Sequence, residues 1–475
     1  IVVCAIGMGT KSVMATAPVV VLLLDWLLVG RDWKAIFRTR GWFYAGLAAT
    51  WSVLLLTGVL TAVLGLKSAG GAGGAEGGAT DAAATAVTPG AAGFAMEGVT
   101  PIQYLTTQAE VIPHYLRLAV WPDPLVIDYQ WPFGKSIGDV LLPGAFIAVL
   151  LGATVVLLVR RHWFAAIGVW FFAILAPTSS FVPVADAAFE HRMYLPLIAV
   201  VVALLVGAAW LLNRLPRSTA FAAGLVLLVA ASAAFGARTV ARLADYRSNL
   251  VLWAATVEDR PQNLRARLNY GVNLYRAGER EAGAAQVEAF VRENPEHGFA
   301  NFQYGLMLLE LGRNEDAALH LRIAVDNHTT ERATRFDLPQ AQLYLGIALL
   351  RTSEPRAALD VLLQARRAMP DDAKTTRFTG AAYLTLGQGE PAERLLREAV
   401  RQAKASGNAE VGADAWFNLG YLSSRRGDWA ACEAACRAAL ALVPDHQLAA
   451  EWLRRARRAQ QQSPSPRGSK PGGQP

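Results

Sequence analysis

Charged residues are scarce in this chain. Asp, Glu, Lys and Arg make up 17% of its 475 residues, and hydrophobic residues make up 53%. A soluble protein of this length normally carries about 25% charged residues. The composition therefore excludes an ordinary soluble protein and predicts that part of the chain lies in a membrane.

Cysteine is scarcer still, with three residues in the whole chain. They form no arrangement typical of a disulfide framework. Cys432 and Cys436 fall at positions where the repeats described below place small or apolar packing residues. A metal site would need further ligands close by, and the sequence offers only His446. We expect core packing here, with a metal pair as the alternative, and we expect no metal and no evident cofactor.

Other signals are missing as well. No glycine-rich phosphate loop follows a predicted strand, and nothing supports nucleic-acid binding. The arginines of "WLRRARRAQ", residues 452–460, fit a helix that caps the repeats, with anionic lipid as an alternative contact. The first residues lack a Met and open inside an apolar run without a basic segment before it. We therefore expect a fragment truncated at its N-terminus.

Long apolar runs are what the first half does contain. A helix needs about 20 apolar residues to cross a bilayer. The sequence therefore predicts an all-α fold whose residues 1–237 form a multi-pass transmembrane bundle. The candidate spans are 13–30, 42–66, 141–159, 163–180, 194–213 and 219–237.

Charges on the connections predict the orientation of these spans. Basic connections at 31–40, 160–162 and 214–217 favour the cytoplasmic side, so the outer loop 67–104 faces away from it. Residues 104–121 are apolar on one face only, and a full crossing there would reverse the bias of every later loop. We interpret them as an interfacial or re-entrant helix on the outer side.

The second half contains an internal repeat. Its glycines recur at spacings of 34, 41, 34 and 40 residues, and a 34-residue unit closed by proline is typical of tetratricopeptide repeats. The pattern predicts a connecting helix at 238–262, a solenoid of about five repeats at 263–456 with a groove for a protein or peptide, and a disordered tail at 457–475. The structural positions are Gly271, Gly305, Gly346, Gly380, Gly420, Pro295, Pro370 and Pro444, and Trp416, Tyr270, Tyr304 and Tyr344 are interpreted as scaffold residues.

Polar side chains in the membrane half are the candidates for a site, because an ionisable group at membrane depth usually faces a cavity or a partner. Glu190, His191 and Arg192 stand together between two apolar runs, with Asp186 just before them. His114 and Arg117 share one helical face, which would also suit contact with lipid headgroups.

Four segments together carry a resemblance: "GMGTKSVMATAPVVVLLLDW", "TTQAEVIPHYLRLAVWPDPLVIDYQWP", "LAPTSSFVPVADAAFEHRMYLPL" and "YRSNLVLWAATVEDRPQNLRARLNYG". Over residues 1–456 the chain resembles bacterial multi-pass membrane proteins with C-terminal tetratricopeptide repeats. These in turn resemble the transmembrane and tetratricopeptide-containing protein O-mannosyltransferases of the GT-C glycosyltransferase class.

The resemblance implies an enzyme of the bacterial inner membrane with its repeats outside the cytoplasm. Such an enzyme takes a sugar from a polyprenyl-phosphate donor and transfers it to a protein held by the repeats. The donor phosphate would be bound by Arg192, His191, Lys11 and Arg117.

The enzyme hypothesis also requires a catalytic base. In this class the base lies in an outer loop that would precede residue 1, and Glu190 or Asp186 would have to replace it. Two alternatives remain open. One is a non-catalytic, membrane-anchored tetratricopeptide scaffold for protein–protein interaction, and the other is a transporter-like bundle.

Overall fold

The computed structural model describes residues 1–10, 12–30, 32–56, 99–133, 136–184, 186–328 and 337–462. Throughout these ranges the secondary structure is helical, and no strand of a sheet is formed in them. The chain divides into two compact units, Ile1–Tyr270 and Gly271–Pro475. The fold is therefore all-α, as the sequence predicts.

The first unit begins with short helices and continues with longer ones. A 3-10 helix at Ser12–Thr16 and a π-helix at Asp25–Gly30 flank α2, and a second 3-10 helix covers Glu190–Met193. The α-helices are α1 (Val2–Thr10), α2 (Ala17–Leu24), α3 (Trp33–Ala49), α4 (Trp51–Leu56), α5 (Pro101–Val120), α6 (Ile137–Val159), α7 (Ala165–Leu175), α8 (Leu197–Leu212), α9 (Arg217–Asp245), α10 (Asn249–Asp259) and α11 (Leu264–Arg276), the last of which crosses into the second unit.

Among the described residues of this unit, three helical stretches are long and apolar enough to cross a membrane. They are Val13–Gly30, Gly138–Val159 and Arg217–Asp245, and none of the residues in the apolar windows of the last two is buried. α7 and α8 are apolar but have only 11 and 16 residues. They are shorter than the predicted spans 163–180 and 194–213 because turns and the 3-10 helix occupy the chain between them. The predicted span 42–66 lies within the described residues only as far as 56.

The amphipathic segment predicted at 104–121 is α5. It begins at Pro101, after a capping box in which Thr100 and Gln103 satisfy each other's backbone N–H groups. Its buried face, which includes Val111, Tyr115 and Leu118, packs into the larger core cluster of this unit. The predicted outer loop before it lies largely outside the described residues, because 57–98 are not among them.

The link between the halves differs from the prediction. A single connecting helix was expected at 238–262, but α9 continues to Asp245 and a new helix, α10, begins at Asn249. The hydroxyl of Ser248 accepts a hydrogen bond from the N–H of Val251 and caps α10. The cap makes α10 a separate helix from α9.

The second unit consists of helical hairpins followed by one closing helix. Each hairpin packs a first helix on a second: α11 on α12, α13 on α14, α15 on α16, α17 on α18 and α19 on α20. The helices are α12 (Arg280–Glu293), α13 (Gly298–Glu310), α14 (Asn314–Asp326), α15 (Leu338–Arg351), α16 (Pro355–Ala368), α17 (Ala373–Thr385), α18 (Gly389–Ser406), α19 (Ala409–Arg425), α20 (Trp429–Leu442) and the closing helix α21 (Gln447–Gln462).

The repeat glycines lie in the first helices at the points where the second helices approach. A Cβ built on Gly346 would come 2.4 Å from Cγ of Leu362, and one on Gly305 would come 2.6 Å from Cγ of Leu321. Only glycine, which has a hydrogen in place of the Cβ, leaves room for these buried leucines. Of the other repeat positions, Gly271, Gly380 and Gly420 lie inside first helices, and Pro295, Pro370 and Pro444 lie just after second helices.

Two insertions, at 327–337 and 404–413, account for the repeat spacings of 41 and 40 residues. The insertion at 404–413 lengthens α18 and α19 to 18 and 17 residues, whereas most of the insertion at 327–337 lies outside the described residues. The disordered tail was expected from residue 457, but α21 continues to Gln462. Arg457 pairs with Glu433 and Gln460 donates to the carbonyl of Trp429, which holds these last turns on α20.

Candidate functional site

Arg192 lies among the backbone carbonyls of its own loop. Its Nη1 donates to the carbonyls of Thr178 at 3.2 Å and Ala187 at 2.9 Å, and to the hydroxyl of Tyr104 at 3.3 Å. Its Nη2 donates to the carbonyl of Asp186 at 2.6 Å. The guanidinium therefore ties both ends of the loop to α5, and most of its donors already have acceptors.

Glu190 is held on the same side of the loop by neutral donors. One carboxylate oxygen, Oε1, accepts from the backbone N–H of Val126 and from the hydroxyl of Tyr129, both at 2.8 Å. Burial raises the pKa of Glu190, although these two hydrogen bonds act in the opposite direction. Burial and the nearby Glu190 carboxylate also raise the pKa of Tyr129.

Asp186 belongs to a third set of contacts, formed with the start of α11. Arg265 pairs with Asp128 at 3.1 Å and with Asp186 at 3.4 Å. The side chain of Asn263 donates to the carbonyl of Asp128 at 2.8 Å. A cavity of about 710 Å³ lies beside these contacts, with Tyr129, Trp131 and Phe133 on its aromatic wall and Arg260 over two of those rings.

The other predicted residues do not join Arg192 in one site. His114 lies between the rings of Tyr129 and Trp131, at 5.2 and 5.0 Å between centroids, and burial together with Arg117 lowers its pKa to about 4. Arg117 is exposed on the last turn of α5, and His191 is exposed with its ring 5.1 Å from that of Phe189. Lys11 lies outside the described residues. The roles assigned to these side chains as phosphate ligands stay predictions.

The second unit offers a different surface. The first helices of neighbouring hairpins contact one another, α13 with α15, α15 with α17, α17 with α19, and α19 with α21. In a solenoid of helical hairpins, such contacts place the first helices along the concave side. We call their half-exposed side chains, from Gly271 onwards, the inner surface.

Side chains of the inner surface contact each other from one repeat to the next. Lys374 donates to the hydroxyl of Tyr344 at 3.1 Å, and its Nζ lies 4.5 Å from the centre of that ring. Further along, the carboxylate of Asp414 lies 3.4 Å from the guanidinium of Arg377 and 3.1 Å from Nε2 of His446. Charged and aromatic side chains of successive first helices are therefore in contact along this surface.

These residues were not predicted from the sequence, although the repeat carries their signal. Lys374 and Arg377 stand six and three residues before Gly380, and Asp414 and Phe417 stand at the same distances before Gly420. This surface is indicated by polar and aromatic residues that recur at the same repeat positions. These positions lie on the open side of the first helix. Tyr344, interpreted as scaffold, also contributes its hydroxyl here.

Comparisons with known proteins agree with this geometry. Residues 271–337 match the family model described as tetratricopeptide repeat. The matched residues include the helices α12, α13 and α14 of the second unit, so the tetratricopeptide repeat is shown for this part of the chain.

Several solved structures are similar to the chain at low identity. YrrB, described as a TPR protein with an unusual peptide-binding site, is 18% identical over 42% of this chain and 96% of its own, with a TM-score of 0.34. A MamA fragment from Desulfovibrio magneticus RS-1 is 21% identical over 42% and 97%, with a TM-score of 0.30. A thermophilic TPR protein in Thermus thermophilus is 22% identical over 42% and 99%, with a TM-score of 0.31.

No curated protein matches the chain. The comparisons give no support to the resemblance to O-mannosyltransferases or to a sugar-transfer activity. What they do support is the tetratricopeptide repeat at residues 271–337.

The two cysteines of the tetratricopeptide unit are part of its packing. Cys432 and Cys436 are fully buried in a cluster with Ala456, bordered by Trp429 and Trp452. Burial and the neighbouring Cys432 raise the pKa of Cys436 to about 12. Both thiols therefore stay protonated at neutral pH, and within the described ranges no group of three or more His, Cys, Asp and Glu side chains is arranged to hold a metal ion.

Proposed function

We propose that this protein is a membrane-anchored scaffold whose tetratricopeptide unit holds a segment of a partner protein along its inner surface. The observation that carries the proposal is the row of half-exposed cationic and aromatic side chains on successive first helices, formed by Tyr344, Lys374 and Phe417. Aromatic and arginine side chains are the groups that most often dominate protein–protein binding energy.

The charge of this surface indicates what kind of segment it would hold. Between Gly271 and Thr385 the first helices carry one acid, Glu310, whereas the second helices α12, α14, α16 and α18 carry ten acidic and ten basic residues. The basic residues of those first helices are Arg276, Arg351, Lys374 and Arg377. An excess of positive charge on one side only favours an acidic partner segment, because complementary potentials steer association.

Membrane anchoring rests on the first unit. Neither Gly138–Val159 nor Arg217–Asp245 has a buried residue in its apolar window, and both are long enough to cross a bilayer. Surfaces this apolar are covered by lipid or by protein in a stable state. Lipid fits best here, because the apolar windows of both helices are apolar around their whole circumference, which is typical of a membrane span.

The location is proposed from the basic connections. If the connections at 160–162 and 214–217 face the cytoplasm, residues after Asp245 lie on the other side of the membrane. In a bacterium this places the tetratricopeptide unit at the outer side of the inner membrane, where its partner would be an extracytoplasmic protein.

Site-specific photocrosslinking tests partner binding on the full-length chain. A photoreactive benzoyl-phenylalanine replaces Phe417 on the inner surface, and a matched variant carries it at Leu319, which is 57% exposed on the second helix α14. We expect adducts with a second polypeptide from position 417 and not from position 319. Equal adducts from both positions, or none from 417, would contradict the proposal.

Anchoring is tested separately, because an anchored chain stays in the membrane pellet after alkaline carbonate extraction and a peripheral chain does not.

A further inference from the structure

A small pocket opens at the start of the inner surface, between α11, its turn into α12, and α13. Its volume is about 310 Å³. Its apolar part is formed by Val272 and Met307, which are buried, and by Leu306, which is half-exposed. A pocket of this size has room for one apolar side chain of a bound segment but not for a folded element.

The one acid of the pocket is already engaged. The hydroxyl of Tyr275 donates to Oε2 of Glu310 at 3.1 Å and also lies 3.3 Å from the carbonyl of Met307. Burial and this carboxylate raise the pKa of Tyr275, so the hydroxyl remains a donor at neutral pH. The carboxylate of Glu310 is therefore bound to Tyr275.

The two cations of the pocket are not engaged in that way. Arg276 and Arg280 are both exposed at its rim, on either side of the turn through Gly278, and neither makes an ion pair with an acid of the described residues. Unpaired guanidiniums beside an apolar floor are complementary to a carboxylate that follows or precedes an apolar side chain, since Arg binds carboxylates through two parallel hydrogen bonds.

We propose that this pocket binds an apolar–acidic pair of neighbouring residues within a partner segment. The apolar side chain would rest on Leu306 and Met307, and the carboxylate side chain would lie between Arg276 and Arg280. The inference rests on the proposed function and makes it more specific, because it names the motif by which the inner surface recognises its partner. The segment would then continue along the later first helices, where Lys374 favours a further acid.

The test uses the full chain in lipid nanodiscs and short fluorescein-labelled peptides with blocked ends. The peptides repeat Gly-Ser-Leu-Glu, Gly-Ser-Leu-Lys or Gly-Ser-Gly-Glu, and binding is followed by fluorescence anisotropy. We expect the Leu-Glu peptide to bind about tenfold more tightly than either of the other two, since each lacks one of two contacts that contribute on the order of one power of ten in affinity.

Charge reversal provides the decisive variant. The double substitution Arg276→Glu and Arg280→Glu should move the preference from the Leu-Glu to the Leu-Lys peptide, and Leu306→Gln should weaken both. Arg322→Glu and Leu319→Gln, at exposed positions of α14, are the matched controls and should leave all affinities unchanged. A preference that survives the double charge reversal would overturn the proposal.

Two further outcomes separate this inference from the proposed function. If the wild-type chain shows no preference for Leu-Glu while crosslinking from position 417 persists, the pocket inference fails and the scaffold function stands. If crosslinking is lost as well, both fail. A peptide with a free C-terminal carboxylate and no acidic side chain is the last probe, and tighter binding of that peptide would show capture of a chain terminus and overturn the assignment to an internal acid.

Discussion

Glu190 and Tyr129 are joined by a hydrogen bond of 2.8 Å, and the same carboxylate oxygen also accepts from the backbone N–H of Val126. Two donors on the segment after α5 therefore depend on one oxygen of the 3-10 helix at Glu190–Met193. This relationship gives Glu190 a structural role that the sequence did not indicate.

Replacing Glu190 by Ala should destabilise the first unit. Each buried donor left without an acceptor costs about 1–3 kcal/mol, and two donors are affected. Glu190→Gln keeps an oxygen at the same place and should be close to wild type. The measurement is the thermal unfolding midpoint of the full chain in detergent, and equal midpoints for both variants would show that these hydrogen bonds contribute nothing.

His114 predicts a pH dependence of stability. Its pKa is lowered to about 4 by burial and by Arg117 and Arg260, whereas an unfolded chain would titrate near 6.5. Above about pH 6.5 both states hold a neutral imidazole, and the full stability is present. As the pH falls from there towards about 4, the unfolded state gains the proton first, so the folded state loses stability.

The variant His114→Gln isolates this effect. The difference between the unfolding midpoints of wild type and variant should decrease steadily between about pH 6.5 and about pH 4 and be constant above that range. A difference that does not change with pH would mean that the imidazole is as accessible to protons in the folded state as in the unfolded one.

The repeat half could be predicted from sequence because each repeat position has a fixed packing reason. Gly305 and Gly346 must lack a Cβ beside Leu321 and Leu362, and this requirement returns with every unit, so it is visible as a spacing. The packing of Cys432 and Cys436 follows from the same pattern, because both stand at repeat positions that other units fill with small or apolar residues.

The polar loop could not be predicted in the same way. The sequence shows Glu190 and Arg192 side by side and suggests one site, yet the arginine binds backbone carbonyls and the glutamate binds a tyrosine and a backbone N–H. Backbone acceptors leave no trace in the identity of a residue. Tyr104, which is 88 positions from Arg192, joins the cluster only through the packing of α5.

Arg192→Lys tests this structural interpretation. Lysine keeps the charge but presents three donors from a single nitrogen, so it cannot reach all the acceptors that the two ends of the guanidinium reach. We expect a loss of about 2 kcal/mol or more, because part-buried carbonyls lose their donors. A lower unfolding midpoint for Arg192→Lys than for Arg117→Lys, at an exposed position of α5, would support it, and equal midpoints would contradict it.

Asp414→Asn tests the pairing on the inner surface. Asp414 forms an ion pair with Arg377, whose side chain is largely buried, and a second contact with the ring of His446. Without the carboxylate, burial disfavours the Arg377 cation, whose pKa is already lowered by desolvation. The unfolding midpoint should therefore fall, and the fall should shrink in an Arg377→Met background, as a double-mutant cycle would show.

Gly346→Ala and Gly380→Ala test the packing argument in the solenoid. Alanine in a helix is favoured over glycine by about 1 kcal/mol, so an open position would gain stability. At Gly346 the new Cβ would come 2.4 Å from Leu362 Cγ, and overpacking costs about 1–3 kcal/mol. At Gly380 the nearest atom, Cγ of Leu396, is 3.0 Å away. We expect Gly346→Ala to lower the unfolding midpoint clearly and Gly380→Ala to change it little. The reverse order would show that the second helix moves aside at Gly346, and that the glycine is there for a reason other than close approach.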